Sequence, residues 1–316
     1  MLDKRMGLSI IIVNWNTRQL LADCLHSVFA TVRDIEFEVI VVDNDSTDDS
    51  VECVRMLFPQ VKLIERSENL GFARGNNVAL LEASGEFILL LNPDTILREH
   101  AVNRLCQTLR AYPALGAVGS QLLNPDGSFQ QSWGHFPSLW TELPLVNRLL
   151  SKTQRALALN GDHEESPILA VDWVSGASLM MRRQALEQVG PLDEDYWLYT
   201  EEADWCYRVR KANWKIGVVT GAQVIHVARA ASRQKYAEAL MHFHRSRLLF
   251  LLKHHPRAQV HLARGVLCFK AALWMAVPVV SPLAKAYPDL SRADLRATYR
   301  KLLADMLVPL DRLLVH

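Results

Sequence analysis

Leu8-Ser9-Ile10-Ile11-Ile12-Val13-Asn14 is a β-branched run that begins close to the N-terminus and stops on a polar residue. It lacks the apolar–polar alternation of a half-exposed strand. A run this evenly apolar expects cover on both faces, as in the interior of a parallel sheet. Comparable runs recur at Val39–Val42, Val61–Ile64 and Phe87–Leu91, and helical patterns separate them. Thr17 stands as a cap before an amphipathic stretch to Phe29. Ser46 stands before a second helix with Asp48 and Asp49 in its first turn, where the dipole favours acids. Further helices are expected over 73–82 and from about Glu99. The alternation predicts an α/β fold with a doubly wound, mostly parallel sheet.

After Gly119 the beat changes. Asn124-Pro125-Asp126-Gly127 is a turn signal, and residues 132–168 are irregular and rich in Pro and Trp, as in a substrate-covering loop. Strand-like pieces flank Gly176, a helix is expected near Glu201, and two strands are expected over 214–219 and 223–227. From Ala230 the pattern is helical and basic.

The 316 residues are 50% hydrophobic and 22% charged, an ordinary globular composition. The net charge of +1 conceals an asymmetry. Residues 1–226 carry 20 Lys/Arg and 29 Asp/Glu (20 − 29 = −9), and residues 227–316 carry 15 and 5 (15 − 5 = +10). A basic tail on an acidic body suggests an anionic partner, either lipid or nucleic acid. No nucleic-acid reading motif or aromatic stacking platform accompanies it, so nucleic acid is not expected. Cys24, Cys53, Cys106, Cys206 and Cys268 are scattered, without a C-x-x-C pair, which suits a reducing compartment. Residues 1–7 lack the apolar stretch of a signal peptide, so a cytoplasmic location is expected.

In open α/β sheets ligands bind beyond the carboxyl ends of the strands. Asn14-Trp15-Asn16 follows the first strand and Asp43-Asn44-Asp45-Ser46 the second. Glu68-Asn69-Leu70-Gly71-Phe72 and Arg74 follow the third, and Asn92-Pro93-Asp94 the fourth. Four polar clusters would therefore meet on one edge. No G-x-G-x-x-G and no G-x-x-x-x-G-K-[ST] occurs, which argues against dinucleotide dehydrogenases and P-loop NTPases. A diphosphate held here needs another counter-charge, and a divalent metal on carboxylates supplies one.

These segments, with Val174-Ser175-Gly176-Ala177, Tyr199-Thr200-Glu201-Glu202-Ala203-Asp204-Trp205 and Val224-Ile225-His226, resemble the family 2 inverting glycosyltransferases. The likeness runs in order from about Leu8 to Ser232 and is closest to bacterial rhamnosyltransferases of cell-surface polysaccharide assembly. It implies a GT-A domain over 1–228, with a nucleotide-sugar half (1–120) and an acceptor half (121–228), and a helical C-terminal region over 229–316. It also implies a nucleotide-diphospho-sugar donor, best matched by dTDP-rhamnose, a glycan or polyprenyl-linked glycan acceptor, and Mg²⁺ or Mn²⁺. Another nucleotide sugar, or a non-catalytic nucleotide-sugar scaffold on the same fold, is the alternative. A processive synthase is disfavoured by the lack of Q-x-x-R-W and of a set of membrane spans.

Residue roles follow from the same resemblance. Asp43 matches the reader of the pyrimidine base, Asn14 lies where the nucleoside binds, and Asn44, Asn69, Gly71, Phe72 and Arg74 belong to the donor segments. Asp94 matches the second acid of the Asp-x-Asp metal motif. The first position is Asn92, so Asp94 must carry most of the metal contact, with Asn92 nearer the sugar or ribose. His226 matches a histidine that completes the metal site in some members. Glu202 aligns with the catalytic base, and Glu201 and Asp204 look like its supports. Three crowded carboxylates would also raise one proton affinity. Trp173, Trp197 and Tyr199 are equally placed to be sugar platforms or core.

Residues 229–257 hold seven Lys/Arg and one Glu. Leu262–Val280 is apolar but broken by Arg264, Lys270 and Pro278, too short for a membrane span. A basic, apolar helix at the membrane surface, within 229–285, is one expectation, and homodimer packing through the same helices is the other.

Overall fold

The computed structural model describes residues 7–143, 168–227, 236–278, 281–286 and 290–309. The chain forms two compact units: Met1–Phe136, Ser151–Trp197 and Glu201–Gln234 in the first, and Pro137–Leu150, Leu198–Thr200 and Lys235–His316 in the second.

The first unit is built on β1 (Leu8–Asn14), β2 (Phe37–Asn44), β3 (Lys62–Arg66), β4 (Phe87–Leu91), β5 (Thr95–Leu97), β6 (Leu115–Leu123), β7 (Phe129–Gln130), β8 (Trp133–Gly134), β9 (Ile168–Ala170), β10 (Trp173–Val174), β11 (Ser178–Arg182) and β12 (Lys215–His226). Its helices are α1 (Arg18–Thr31), α2 (Ser50–Leu57), α3 (Gly71–Leu80), α4 (Ala101–Ala111), α6 (Arg183–Val189) and α7 (Glu201–Lys211), and α5 (Leu139–Glu142) belongs to the second unit. The main sheet runs β3-β2-β1-β4-β11-β6-β12-β5, with β7 on β6 and β9 on β12. β3, β2, β1 and β4 are parallel, and β11 enters antiparallel between β4 and β6. β1 lies between β2 and β4, so the chain changes direction across the sheet there, which opens a crevice beyond the carboxyl ends.

The evenly apolar strands have the predicted cause. Ile10, Ile12, Val39, Val41 and Leu89 pack with Leu21, Leu25, Leu105 and Leu109 of α1 and α4 on one face. Ile11, Ile40, Val42, Ile88 and Leu90 pack with Ala73, Ala79, Trp205 and Val209 of α3 and α7 on the other. Period-2 side-chain direction divides one run between two cores.

Local expectations are corrected in four places. Thr17 precedes α1 but its side chain does not cap it; the hydroxyl donates to Asn14 Oδ1 at 2.6 Å. The helix expected from Ser46 starts at Ser50, because the Ser46 hydroxyl is taken by Asn14 Nδ2 (3.1 Å) and the Asn16 amide (2.9 Å). The helix expected over 73–82 is α3, which starts two residues earlier at Gly71. The two strands expected over 214–227 are one strand, β12, with an irregular register between Val219 and Gln223. Within the expected covering loop, β8 pairs antiparallel with β10, and residues 144–167 lie outside the described set.

The second unit is helical: α5, α8 (Tyr236–His254), α9 (Arg257–Ala276), α10 (Pro282–Ala286) and α11 (Arg292–Leu307). Val260, Ala263, Leu267 and Ala271, at helical spacing on α9, join Met241, Leu248, Leu295, Tyr299 and Leu302 in one core. The apolar stretch of α9 is thus partly core, while Leu262, Phe269, Leu273 and Val277 remain exposed. Glu142 is buried and held by Arg247 (2.6 Å) and Lys270 (3.4 Å). Burial raises its proton affinity, but the two cations outweigh that and hold the carboxyl below its ordinary range. Among the described residues no helix is long and apolar enough to cross a membrane.

Candidate active site

Asn14 and Asp43 are register partners at the ends of β1 and β2, and both are buried. Asn14 Nδ2 donates to Asp43 Oδ2 at 2.9 Å, and the Ser46 amide donates to Asp43 Oδ1 at 2.9 Å. The Asn14 side chain contacts Asp43, Ser46 and Thr17, an arrangement that braces the Asp43 carboxylate. Asn44 Nδ2 donates to the Gly71 carbonyl at 3.0 Å, and lies 3.4 Å from Asn69 Oδ1. The Gly71 amide donates to that same Asn69 oxygen at 2.9 Å.

Gly71 has φ +76°, and a Cβ there would lie 2.4 Å from the Trp197 carbonyl oxygen. Both observations demand glycine. Phe72 places its ring edge against Gly176, where a Cβ would lie 3.0 Å from Phe72 Cζ and 4.0 Å from Glu202 Cβ. The start of α3 and the acid-bearing helix α7 therefore meet at Gly176. Arg74 is half exposed and pairs with Glu194 at 3.5 Å.

Beyond β4, the Asn92 amide donates to the Ala177 carbonyl at 3.1 Å, and the Thr95 hydroxyl donates to the Asn92 carbonyl at 2.7 Å. The resulting turn presents Asp94. His226, at the end of β12, is the register partner of Thr95, and its Nε2 lies 3.2 Å from Asp94 Oδ1 and 3.4 Å from Asn92 Nδ2. Residues more than 130 apart in sequence are thus joined by one antiparallel pairing. The other ring nitrogen, Nδ1, is 2.6 Å from Gln130 Oε1. Sequence reasoning gave Gln130 no part, and only the turn at Asn124–Gly127 hinted that β7 would fold back here.

An imidazole nitrogen and a carboxylate oxygen suit Mg²⁺ or Mn²⁺. Adjacent ligands of an octahedral cation lie roughly 3 Å apart, close to the observed separation. The described residues contain no cluster of three or more metal-binding side chains. Two protein ligands leave positions for diphosphate oxygens and water, the usual arrangement for a cation that serves a phosphate. The residues fit the group.

Glu201, Glu202 and Asp204 open α7 but have different environments. Asp204 is buried and spoken for: Arg208 Nε donates to it at 2.8 Å and the Tyr196 hydroxyl at 3.3 Å. Glu201 and Glu202 each carry a buried Oε2 without a hydrogen-bond partner. Burial, and then the charge of Glu202, push the Glu201 carboxyl well above the ordinary range. Burial raises the Glu202 carboxyl too, outweighing the opposing pull of the Glu201 side chain and the Gly176 and Ala203 amides. Two adjacent carboxyls whose proton affinities are both raised do not readily ionise together. Of the aromatics, Trp173 donates its indole N–H to the His135 carbonyl at 2.8 Å, Trp197 lies over Gly71, and Tyr199 meets Phe243 edge-on at 5.9 Å.

Solved structures with related folds agree with this architecture. The Pyrobaculum calidifontis mannosyltransferase PcManGT, solved with GDP-Man and Mn²⁺, superposes with a TM-score of 0.58 at 17% identity, covering 96% of this chain and 86% of that one. GalNAc-T7, solved with UDP, GalNAc and Mn²⁺, gives 0.59 at 13% identity, covering 98% and 57%. The fold is GT-A-like. In sequence, the chain is 29% identical over 230 residues to the N-acetylglucosaminyl-diphospho-decaprenol L-rhamnosyltransferase of Mycobacterium tuberculosis, spanning 69% of this chain and 75% of that protein. The family described as Glycosyl transferase family 2 matches residues 9–190. With its mostly parallel sheet, its strand-end acids and this match over more than half its length, the chain belongs to glycosyl transferase family 2.

Proposed function

We propose that this chain is an inverting, non-processive glycosyltransferase that moves rhamnose from dTDP-rhamnose to a lipid-linked glycan, with Glu202 as base and a divalent cation at Asp94 and His226. The observation that carries the reading is the pairing of Asp94 Oδ1 with His226 Nε2 at 3.2 Å beyond the sheet's carboxyl edge. The rhamnosyl donor and the polyprenyl-linked acceptor follow the mycobacterial relative's name.

Asp43, braced by Asn14, faces the nucleoside, and the segment from Asn69 to Phe72 forms the wall beside it. Asp94 and His226 would hold the cation, which would supply positive charge against the leaving diphosphate. Glu202 takes the proton of the acceptor hydroxyl as that oxygen bonds to the anomeric carbon from the face opposite the diphosphate. The bond from the anomeric carbon to the phosphate oxygen breaks, and its electron pair leaves on the nucleoside diphosphate. Glu201 keeps its proton and leaves the charge on Glu202 before the transfer.

The proposed working location is the cytoplasmic face of the membrane. Leu262, Phe269, Leu273 and Val277 lie along α9, with exposed Arg257 and His261 at its N-terminal end, an arrangement suited to an anionic lipid surface. Salt-sensitive flotation with anionic liposomes is expected. Absence of flotation, with a dimer in solution, would favour helix-to-helix packing instead.

The deciding experiment is a thermal-shift screen of nucleotide-diphospho-sugars with and without Mn²⁺. Metal-dependent stabilisation by dTDP-rhamnose above other donors is expected. A different preferred donor would replace the sugar assignment, and no shift with any donor in a folded protein would sink the proposed donor site.

A further inference from the structure

The hairpin that ends in β7 reaches His226 through Gln130, and its hydrogen bonds leave one arrangement. Gln130 Nε2 donates to the His226 backbone carbonyl at 3.0 Å and to Asn124 Oδ1 at 2.9 Å. A backbone carbonyl can only accept, so the nitrogen of the Gln130 amide must lie on that side. Asn124 agrees: its own amide nitrogen is held by the Ser128 hydroxyl at 2.9 Å and lies 3.4 Å from the Phe129 carbonyl. Gln130 Oε1 is thereby turned to His226 Nδ1 at 2.6 Å. An amide oxygen can only accept, so Nδ1 carries the hydrogen. In the neutral ring Nε2 then has a lone pair, with Asp94 Oδ1 at 3.2 Å and Asn92 Nδ2 at 3.4 Å. Facing lone pairs on Nε2 and Oδ1 at that distance are favourable only with a proton or a metal cation between them.

We propose that Gln130 is a positioning residue that holds His226 as its Nδ1–H tautomer, presenting the Nε2 lone pair beside Asp94 as a cation ligand. The inference rests on the cation reading of Asp94 and His226 given above. It adds a partner outside the family's strand-end motifs. A neutral imidazole left in water prefers its hydrogen on Nε2, so the tautomer must be imposed. Outer partners of this kind commonly change metal affinity by about 10–100-fold.

The test is long-range ¹H–¹⁵N imidazole spectroscopy on the full chain, with the His226 signals assigned by their loss in His226→Ala. The wild type is expected to show Nδ1–H at His226. Gln130→Met, similar in length but without the acceptor oxygen, is expected to move the hydrogen to Nε2. Mn²⁺ titration by electron paramagnetic resonance, without any sugar donor, is expected to show binding about 10–100-fold weaker in Gln130→Met. Nε2–H in the wild type overturns the proposal even if the variant fails to fold. Asp94→Ala separates the two readings. If it removes Mn²⁺ binding while folded Gln130→Met binds like wild type, Gln130 has no such role and the cation site stands. If Asp94→Ala binds Mn²⁺ unchanged, the cation site itself falls, and this inference with it.

Discussion

The peptide N–H of Phe72 donates to the carbonyl oxygen of Trp197 at 2.8 Å, tying the N-terminus of α3 to the segment that leads toward the acid pair. The close approach is made possible by Gly71, whose φ is +76° and whose missing Cβ would meet that same carbonyl at 2.4 Å. Gly71→Ala combines left-handed strain with a backbone clash and should cost about 2 kcal/mol or more. Chemical denaturation measures this, and a variant as stable as wild type would show that the contact is not rigid.

Asp94→Ala should abolish the Mn²⁺-dependent part of donor stabilisation while the unliganded melting temperature changes little, because the residue lies in a turn outside both cores. A donor shift that persists in Asp94→Ala with its metal dependence intact would remove Asp94 from the cation site.

Glu202→Gln should lower turnover by about 10²–10⁴-fold, the usual worth of a general base, and leave donor binding in place. Glu201→Gln should keep most activity, since an amide can donate where the protonated acid did. If the Glu201 variant is the dead one and the Glu202 variant is active, the two roles are reversed.

The same pair predicts a pH dependence of stability. Glu201 has its proton affinity raised in the folded state, so its contribution is fully present below the ordinary carboxylate range and is lost as pH rises through the elevated folded value. Melting curves of Glu201→Gln should show a shallower alkaline loss than wild type. Parallel curves would mean that Glu201 is ionised when folded.

His244 in the second unit has the opposite sign. Burial pushes its folded pKa down to about 4, from an ordinary 6.5. Its contribution is present above 6.5 and is lost as pH falls toward about 4, roughly 3 kcal/mol in all. His244→Leu should flatten the acid slope of the second unit's unfolding, followed by hydrogen exchange of α8 and α9. An unchanged slope would assign acid lability to other groups.

Sequence periodicity by itself determined the alternating parallel sheet, because strands buried on both faces must be apolar throughout, and that shows in a single chain. The same pattern placed the polar strand ends, whereas Asp94, His226 and Glu202 were marked only by their resemblance to family motifs. Only the tertiary structure decided what each group faces. That the Asn14 amide reaches Asp43 shows only when β1 and β2 are paired. The sequence alone could not show that Asp204 is bound by Arg208 and Tyr196 while Glu201 and Glu202 each keep a buried oxygen without a hydrogen-bond partner. Gln130 had no local signal at all, because hydrogen-bond direction depends on groups 96 residues away that meet only when β6, β7 and β12 are assembled. Local pattern records which face a residue must bury; the direction of a polar group is fixed by partners that the fold brings from elsewhere.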